Sequence, residues 1–259
     1  MKDVAILVAN WKSVELLGVS IPSLIKSSKS NFEIIVVLNE ADNESINYLK
    51  NMKITYYDNP RNDGPSAIDY AIPYMKEVGF KYVANINDDM LFSEGWDVEL
   101  INLLEERKPC TVSASMIEPI HGNRFIYDDL GNFFNPGNHD TFNQNVKNNK
   151  YVTNLSISYN PPILCTFDDY ISVGGYSDYM KQMWIDLKGK GLDDDFAYRL
   201  YKKYCGKFTF IKSNKSFVYH GGSLTIKKLP FQSGASAFYE TNGLTLDEFR
   251  NKINLCKEV

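Results

Sequence analysis

Three polar segments of this chain carry side chains able to do chemistry: Asn87-Asp88-Asp89, Asp193-Asp194-Asp195 and His220-Gly221-Gly222-Ser223. The first follows the apolar run Tyr82-Val83-Ala84-Asn85-Ile86 directly, which predicts a sheet edge where a ligand can reach it. Two carboxylates and an amide are hard oxygen donors for magnesium or manganese, and such an ion keeps positions open for a diphosphate. The same residue types also make plain turns. Three adjacent acids at a helix start exceed what capping and the macrodipole need, and like charges push a carboxylate's pKa toward a value useful to a general base. His220 ends a short strand and precedes two glycines that let a ligand approach the backbone, and a neutral imidazole suits manganese. Neither acidic segment has the alternating ligands, central Gly and terminal Glu of an EF-hand.

The elements that must position these groups read as an alternation. Val4 to Ala9 and Phe32 to Leu38 are continuous apolar runs, the pattern of strands covered on both faces, and Lys53 to Tyr57 and Tyr82 to Ile86 add two more strands. Between them, helices are predicted at Ser13 to Ser28, with Pro22 expected to kink or shorten it, and from Ser66 to about Val78. A further helix follows Gly95-Trp96. Alternation of this kind implies a doubly wound, mostly parallel sheet with ligands beyond the carboxyl ends of its strands. Residues 119 to 162 are rich in Asn, Gly, Pro and aromatics, with a weak strand near Tyr151 to Tyr159 and no helical period; this excursion is a binding lid or a mobile insertion. Helical patterning returns at Asp194 to Tyr204, then short strands at Phe208 to Ile211 and Ser216 to Tyr219, and a last helix around Thr245 to Asn254.

The 259 residues are 44% hydrophobic and 23% charged, ordinary for one folded domain, and the net charge of -4 argues against a general nucleic-acid binder. The four cysteines, Cys110, Cys165, Cys205 and Cys256, form no C-x-x-C pair and read as reduced thiols. With no signal-like start and no long apolar run, the expectation is no transmembrane segment and a cytoplasmic location, the membrane periphery remaining open.

The order of these motifs resembles the inverting glycosyltransferases of family 2, particularly the rhamnosyltransferase-like branch, over roughly residues 1 to 225. The first strand and its polar turn, Ala9, Asn10 and Trp11 included, correspond to Val4 to Trp11, and the loop that meets the nucleotide base corresponds to Asn39-Glu40-Ala41-Asp42. The family's N-x-G loop is similar to the stretch from Asn62 through Gly64 and Ser66 to Ala71, with Asp69 and Ala71 departing from the pattern. Its L-N-D-D-x motif resembles Ile86 to Met90, its v-G-G-f-D segment Val173 to Asp178, its E-D-x-D-L-x-x-R helix start Leu192 to Arg199, and its late H-x-G-x-S histidine His220.

The resemblance implies a GT-A fold over 1–259, with a nucleotide-sugar half at 1–107, an acceptor half at 108–225 and a C-terminal helical extension at 226–259. It implies a nucleotide-diphosphate-sugar donor, a glycan or other hydroxyl acceptor, and manganese or magnesium on Asp89 with His220 and Asp88. Asn87 is expected to touch the donor or orient the turn. Asp193 is the general base in this register; because Leu192 stands where the family has Glu, Asp194 competes for the role. Trp96, Trp184 and the tyrosines of the excursion are candidates for stacking on sugar rings, or core residues. A sugar-nucleotide pyrophosphorylase would need a Gly-rich loop after the first strand, and Asn10-Trp11-Lys12-Ser13 has no glycine. A non-catalytic carbohydrate- or nucleotide-binding protein on the same fold is the alternative of a different class.

Overall fold

A computed structural model describes residues 2–119, 126–187, 191–222, 224, 238–239 and 242–255. His121, Ser223 and Cys256 lie outside them, as does the Trp184 side chain. The chain begins β1 (Val4–Trp11), α1 (Val14–Ser27), β2 (Phe32–Asn39), α2 (Asn43–Met52) and β3 (Thr55–Asn59). A 3-10 segment (Gly64–Ala71), α3 (Ile72–Val78), β4 (Tyr82–Asn87), β5 (Met90–Phe92), α4 (Trp96–Arg107) and β6 (Cys110–Glu118) follow. The second half contains β7 (Ile126–Tyr127), α5 (Asn138–Lys147), β8 (Ile163–Thr166), α6 (Phe167–Ser172), α7 (Asp178–Leu187), α8 (Leu192–Lys203), β9 (Thr209–His220) and α9 (Leu246–Leu255).

The alternation in the first ninety residues gives the expected parallel unit, β3-β2-β1-β4, with Asn10, Asn39 and Asn87 brought to one edge. Beyond β4 the path continues through antiparallel β8, then β6, β9 and β5. Only Asp88 and Asp89 separate β4 from β5 along the chain, yet the two strands are linked within the sheet through β8, β6 and β9. The sheet therefore curls, and the acidic turn closes its seam.

Both sheet faces are covered, as the continuous apolar runs require. Val4, Ile6 and Val8 of β1 join Leu17, Ile21 and Leu24 of α1 and Leu100 and Leu104 of α4. Ala5 and Leu7 join Met75 of α3, Phe196 and Leu200 of α8 and Phe249 of α9. Each such large aliphatic or aromatic side chain contributes about 1.5–3 kcal/mol by leaving water.

Several expected boundaries move, each for a local reason. Helix α1 is not shortened at Pro22 but runs to Ser27. Strand β3 starts at Thr55 because Lys53 is the left-handed C-cap of α2, with φ 56°. The helix expected from Ser66 divides at Ile72 into a 3-10 segment and α3, with a proline in the first turn of each, Pro65 and Pro73. The two late strands are one, β9, interrupted by a register shift where the Ser213 hydroxyl accepts from the N–H groups of Lys215 and Ser216.

The excursion does contain a helix, α5, which the sequence reading missed because it buries only Asn138 and Phe142 and so shows almost no apolar period. The strand expected near Tyr151 to Tyr159 is a single bridge, Ser156 to Lys212. Phe133, Phe142 and Tyr151 pack with Phe217 and Tyr219 into a third apolar cluster that fastens the excursion to β9.

Candidate active site

The backbone of the acidic turn is held from below by α1. Ser20 donates to the Asp88 carbonyl and accepts from the Met90 N–H (3.3 Å), Ser23 accepts from the Phe92 N–H (2.9 Å), and Ser27 donates to the Phe92 carbonyl (2.8 Å). These hydroxyls are buried. They give β5 on its helix-facing side the polar partners that a buried strand must find.

The two carboxylates of the turn have different surroundings. Asp88 accepts from Asn10 Nδ2 (2.7 Å); burial and the charge of Asp89 push it up to about 7 against the pull of Asn10 and His220. Asp89 lies 3.1 Å from His220 Nε2 through Oδ1, and its Oδ2 accepts from the Leu224 N–H (3.0 Å). Burial opposes its charge, but His220 and these bonds outweigh burial and hold Asp89 below the usual carboxylate range. The Gly221 N–H donates to the Asp89 carbonyl (2.8 Å), so the glycine turn after His220 wraps the acid.

His220 is pinned on both ring nitrogens, with Nδ1 2.5 Å from Glu118 Oε1. Burial lowers its pKa, yet the charges of Asp89 and Glu118 raise it to about 10. Glu118 was missed in the sequence; its only signal is an acid ending a strand of otherwise apolar and hydroxyl residues. Asn87 Nδ2 lies 3.4 Å from His220 Nε2. Among the described residues no three His, Cys, Asp or Glu side chains converge to hold an ion. The chain offers a pair, Asp89 Oδ1 and His220 Nε2, which with the imidazole raised to about 10 is an ion pair; the carboxylate suits a divalent cation, and the ring could join it only on giving up its Nε2 proton.

At the carboxyl ends of β1 to β3 the polar side chains build the loop itself. Asn39 Nδ2 donates to the Gly64 carbonyl (3.1 Å), Asn59 donates to Asn39 Oδ1 (2.9 Å), Asn62 Oδ1 accepts from the Gly64 N–H (3.0 Å), and Ser66 donates to the Asp63 carbonyl (2.6 Å). Trp11 Nε1 donates to Glu40 Oε2 (2.8 Å), which also pairs with Lys12 (3.0 Å). Ala9 pairs in β1 with Val37 and Asn87. Lys12 and Glu40 have φ of 47° and 49°, a left-handed backbone that non-glycine residues adopt where the surrounding structure imposes it. Asp63, also missed, is 2% exposed and its Oδ1 has no hydrogen-bond partner among the described residues.

The three acids of α8 divide by partner. Gly191, with φ 115°, starts the helix at Leu192, and none of the acids caps it. Asp195 is fully buried and paired with Arg199 Nε (2.8 Å). Asp194 Oδ1 takes Tyr159 Oη (2.7 Å) and Arg250 Nη2 (3.2 Å). Asp193 Oδ1 accepts from Tyr176 Oη (2.9 Å). Burial raises Asp193 to about 7, assisted by Asp194 and opposed by the Tyr176 hydrogen bond. Trp96, a candidate for sugar stacking, is instead core: it is 1% exposed, its ring sits 4.7 Å from Phe92 and its Nε1 donates to Ser28.

The curled, mostly parallel sheet between helices, with an acidic turn at its seam, is a GT-A fold, and residues 5–160 match the model of Glycosyl transferase family 2; the chain belongs to that family. Among solved structures, that of GalNAc-T7 with UDP, GalNAc and Mn2+ superposes with a TM-score of 0.61 at 12% identity, over 98% of this chain and 55% of that one. S. aureus TarS 1-349 in complex with UDP superposes with a TM-score of 0.60 at 10% identity, over 98% and 70%. This chain thus spans about half of the GalNAc-T7 structure. No curated protein matches the sequence. No described helix is long and apolar enough to cross a membrane.

Proposed function

We propose that the protein is an inverting glycosyltransferase that moves a hexosyl or deoxyhexosyl unit from a nucleoside-diphosphate sugar to an acceptor hydroxyl. The observation that carries this reading is Asp193: a carboxylate raised to about 7, tied through one oxygen only among the described residues. Asp194 and Asp195 are committed to Arg250 and Arg199, which favours Asp193 over Asp194 as the base. A base serves best near the working pH, where it is ionised and still takes a proton readily.

In the proposed step Asp193 takes the proton of the acceptor hydroxyl while the acceptor oxygen bonds to the anomeric carbon. The bond from that carbon to the diphosphate oxygen breaks on the opposite face, its electron pair leaving with the nucleoside diphosphate. Configuration inverts without a covalent enzyme intermediate. Asp89 and His220 would hold manganese or magnesium, which when bound supplies positive charge against the departing diphosphate. Asp88, hydrogen-bonded to Asn10, would shape the turn from the protein side. The loops carrying Trp11, Glu40, Asn62 and Gly64 would take the nucleotide, with Asp63 Oδ1 a spare acceptor for it. The rhamnosyltransferase-like branch rests on motif order alone.

UDP in both neighbouring structures makes UDP-sugars the first donors to try. The expected result is UDP release with manganese present, together with thermal stabilisation by UDP and manganese that is lost in Asp89→Ala. Equal stabilisation of wild type and Asp89→Ala would contradict the metal assignment. Stabilisation by a nucleotide with no turnover of any nucleotide sugar would favour a binding protein.

A further inference from the structure

We infer that Tyr176, its phenol oriented by Asn85, is a positioning residue that holds Oδ1 of Asp193 and leaves Oδ2 for the acceptor hydroxyl; the inference rests on Asp193 being the base. Donor accounting fixes the direction of the chain of bonds. An ionised carboxylate only accepts, so in the 2.9 Å contact the Tyr176 hydroxyl donates to Asp193 Oδ1. A phenol has one proton, so in its 2.5 Å contact with Asn85 Nδ2 the amide donates and the phenol oxygen accepts. No hydrogen bond among the described residues reaches Asp193 Oδ2.

The phenol has little freedom to point elsewhere. Tyr176 is 2% exposed, its ring centroid lies 5.8 Å from that of Phe196, and its N–H donates to Asp69 Oδ2 (2.9 Å). Just ahead of it, Arg199 donates to the carbonyls of Val173 and Gly175, the latter at 2.7 Å. Asn85 is buried on β4, two residues before Asn87. The base and the acidic turn are thus both referenced to one strand, which a Tyr that merely fills space would not require.

The test is the pH profile of UDP-sugar transfer for wild type, Tyr176→Phe and Asn85→Leu. The charged groups around the pair, Asp194 beside the base, Asp69 beneath Tyr176 and Arg199 nearly two turns along α8, are unaltered in sequence in both variants. Losing the donor removes support from ionised Asp193, so in Tyr176→Phe the rising limb of kcat/KM should move up by about one pH unit. The rate at pH 7 should fall about fivefold with donor KM unchanged. Asn85→Leu should move the limb the same way by less. An unmoved limb in folded, active variants overturns the inference, and if Tyr176→Phe does not fold, Asn85→Leu decides. Wild-type turnover by Asp193→Asn would sink the base reading itself. Carbon-13 NMR titration of the Asp193 carboxyl, assigned by its absence in Asp193→Asn, then judges the contact alone: an upward shift in Tyr176→Phe supports it and no shift refutes it.

Discussion

At the scale of single residues, the site depends on how differently like groups are treated. As the proposed base, Asp193, raised to about 7, should give kcat/KM a rising limb near pH 7, since only its ionised form could take the acceptor proton. The sign for stability is opposite. A carboxyl whose pKa is higher folded than unfolded takes up protons on folding, so its contribution is lost as pH rises from about 4 to about 7. Asp193→Asn keeps an acceptor for Tyr176 and removes the buried charge. Above pH 7 it should melt higher than wild type, by on the order of 1 kcal/mol or about 2–4 °C, measured by calorimetry at pH 5 and pH 8. A sequence shows three acids in a row but not their partners. Arg250 and Tyr159, far apart in the chain, are what separate Asp194 from Asp193.

At the scale of elements, α1 carries the acidic turn as much as β4 does. Ser23→Ala would leave the buried Phe92 N–H without its partner and should destabilise by about 1–3 kcal/mol in denaturant unfolding. Gly175→Ala should cost more, because its φ is 67° and a Cβ there would overlap the Asp69 carboxylate; urea melts would show it. The strands β1, β2 and β4 were legible because buried parallel strands read as apolar runs, and Asp89 and His220 stood out as candidates because one lies in the turn after β4 and the other ends β9. The inward serines of α1 were not, since a buried hydroxyl signals only through the backbone it serves. Glu118 reaches His220 because β6 and β9 lie in parallel register, a pairing no local pattern encodes.

At the scale of the molecule, the curl of the sheet brings together the acidic turn and His220, which with Asp193 make up the proposed site, while the described residues after β9 complete the core. Phe249 of α9 is fully buried against Phe238, Tyr198 and Tyr159, and its neighbour Arg250 reaches Asp194. Phe249→Ala should cost about 3–5 kcal/mol, measured by chemical unfolding, because α9 packs as part of the core beside α8. The domain class was legible from strand and helix alternation; the antiparallel half was not, because β8 and β9 pair across long sequence separations. The proposed function requires that a donor-holding pair and a separate base share this curled edge. Its most direct test is calorimetric binding of UDP with manganese alongside sugar-transfer turnover in Asp193→Asn. The account predicts wild-type binding with turnover reduced about 100-fold or more; wild-type binding with wild-type turnover would contradict it.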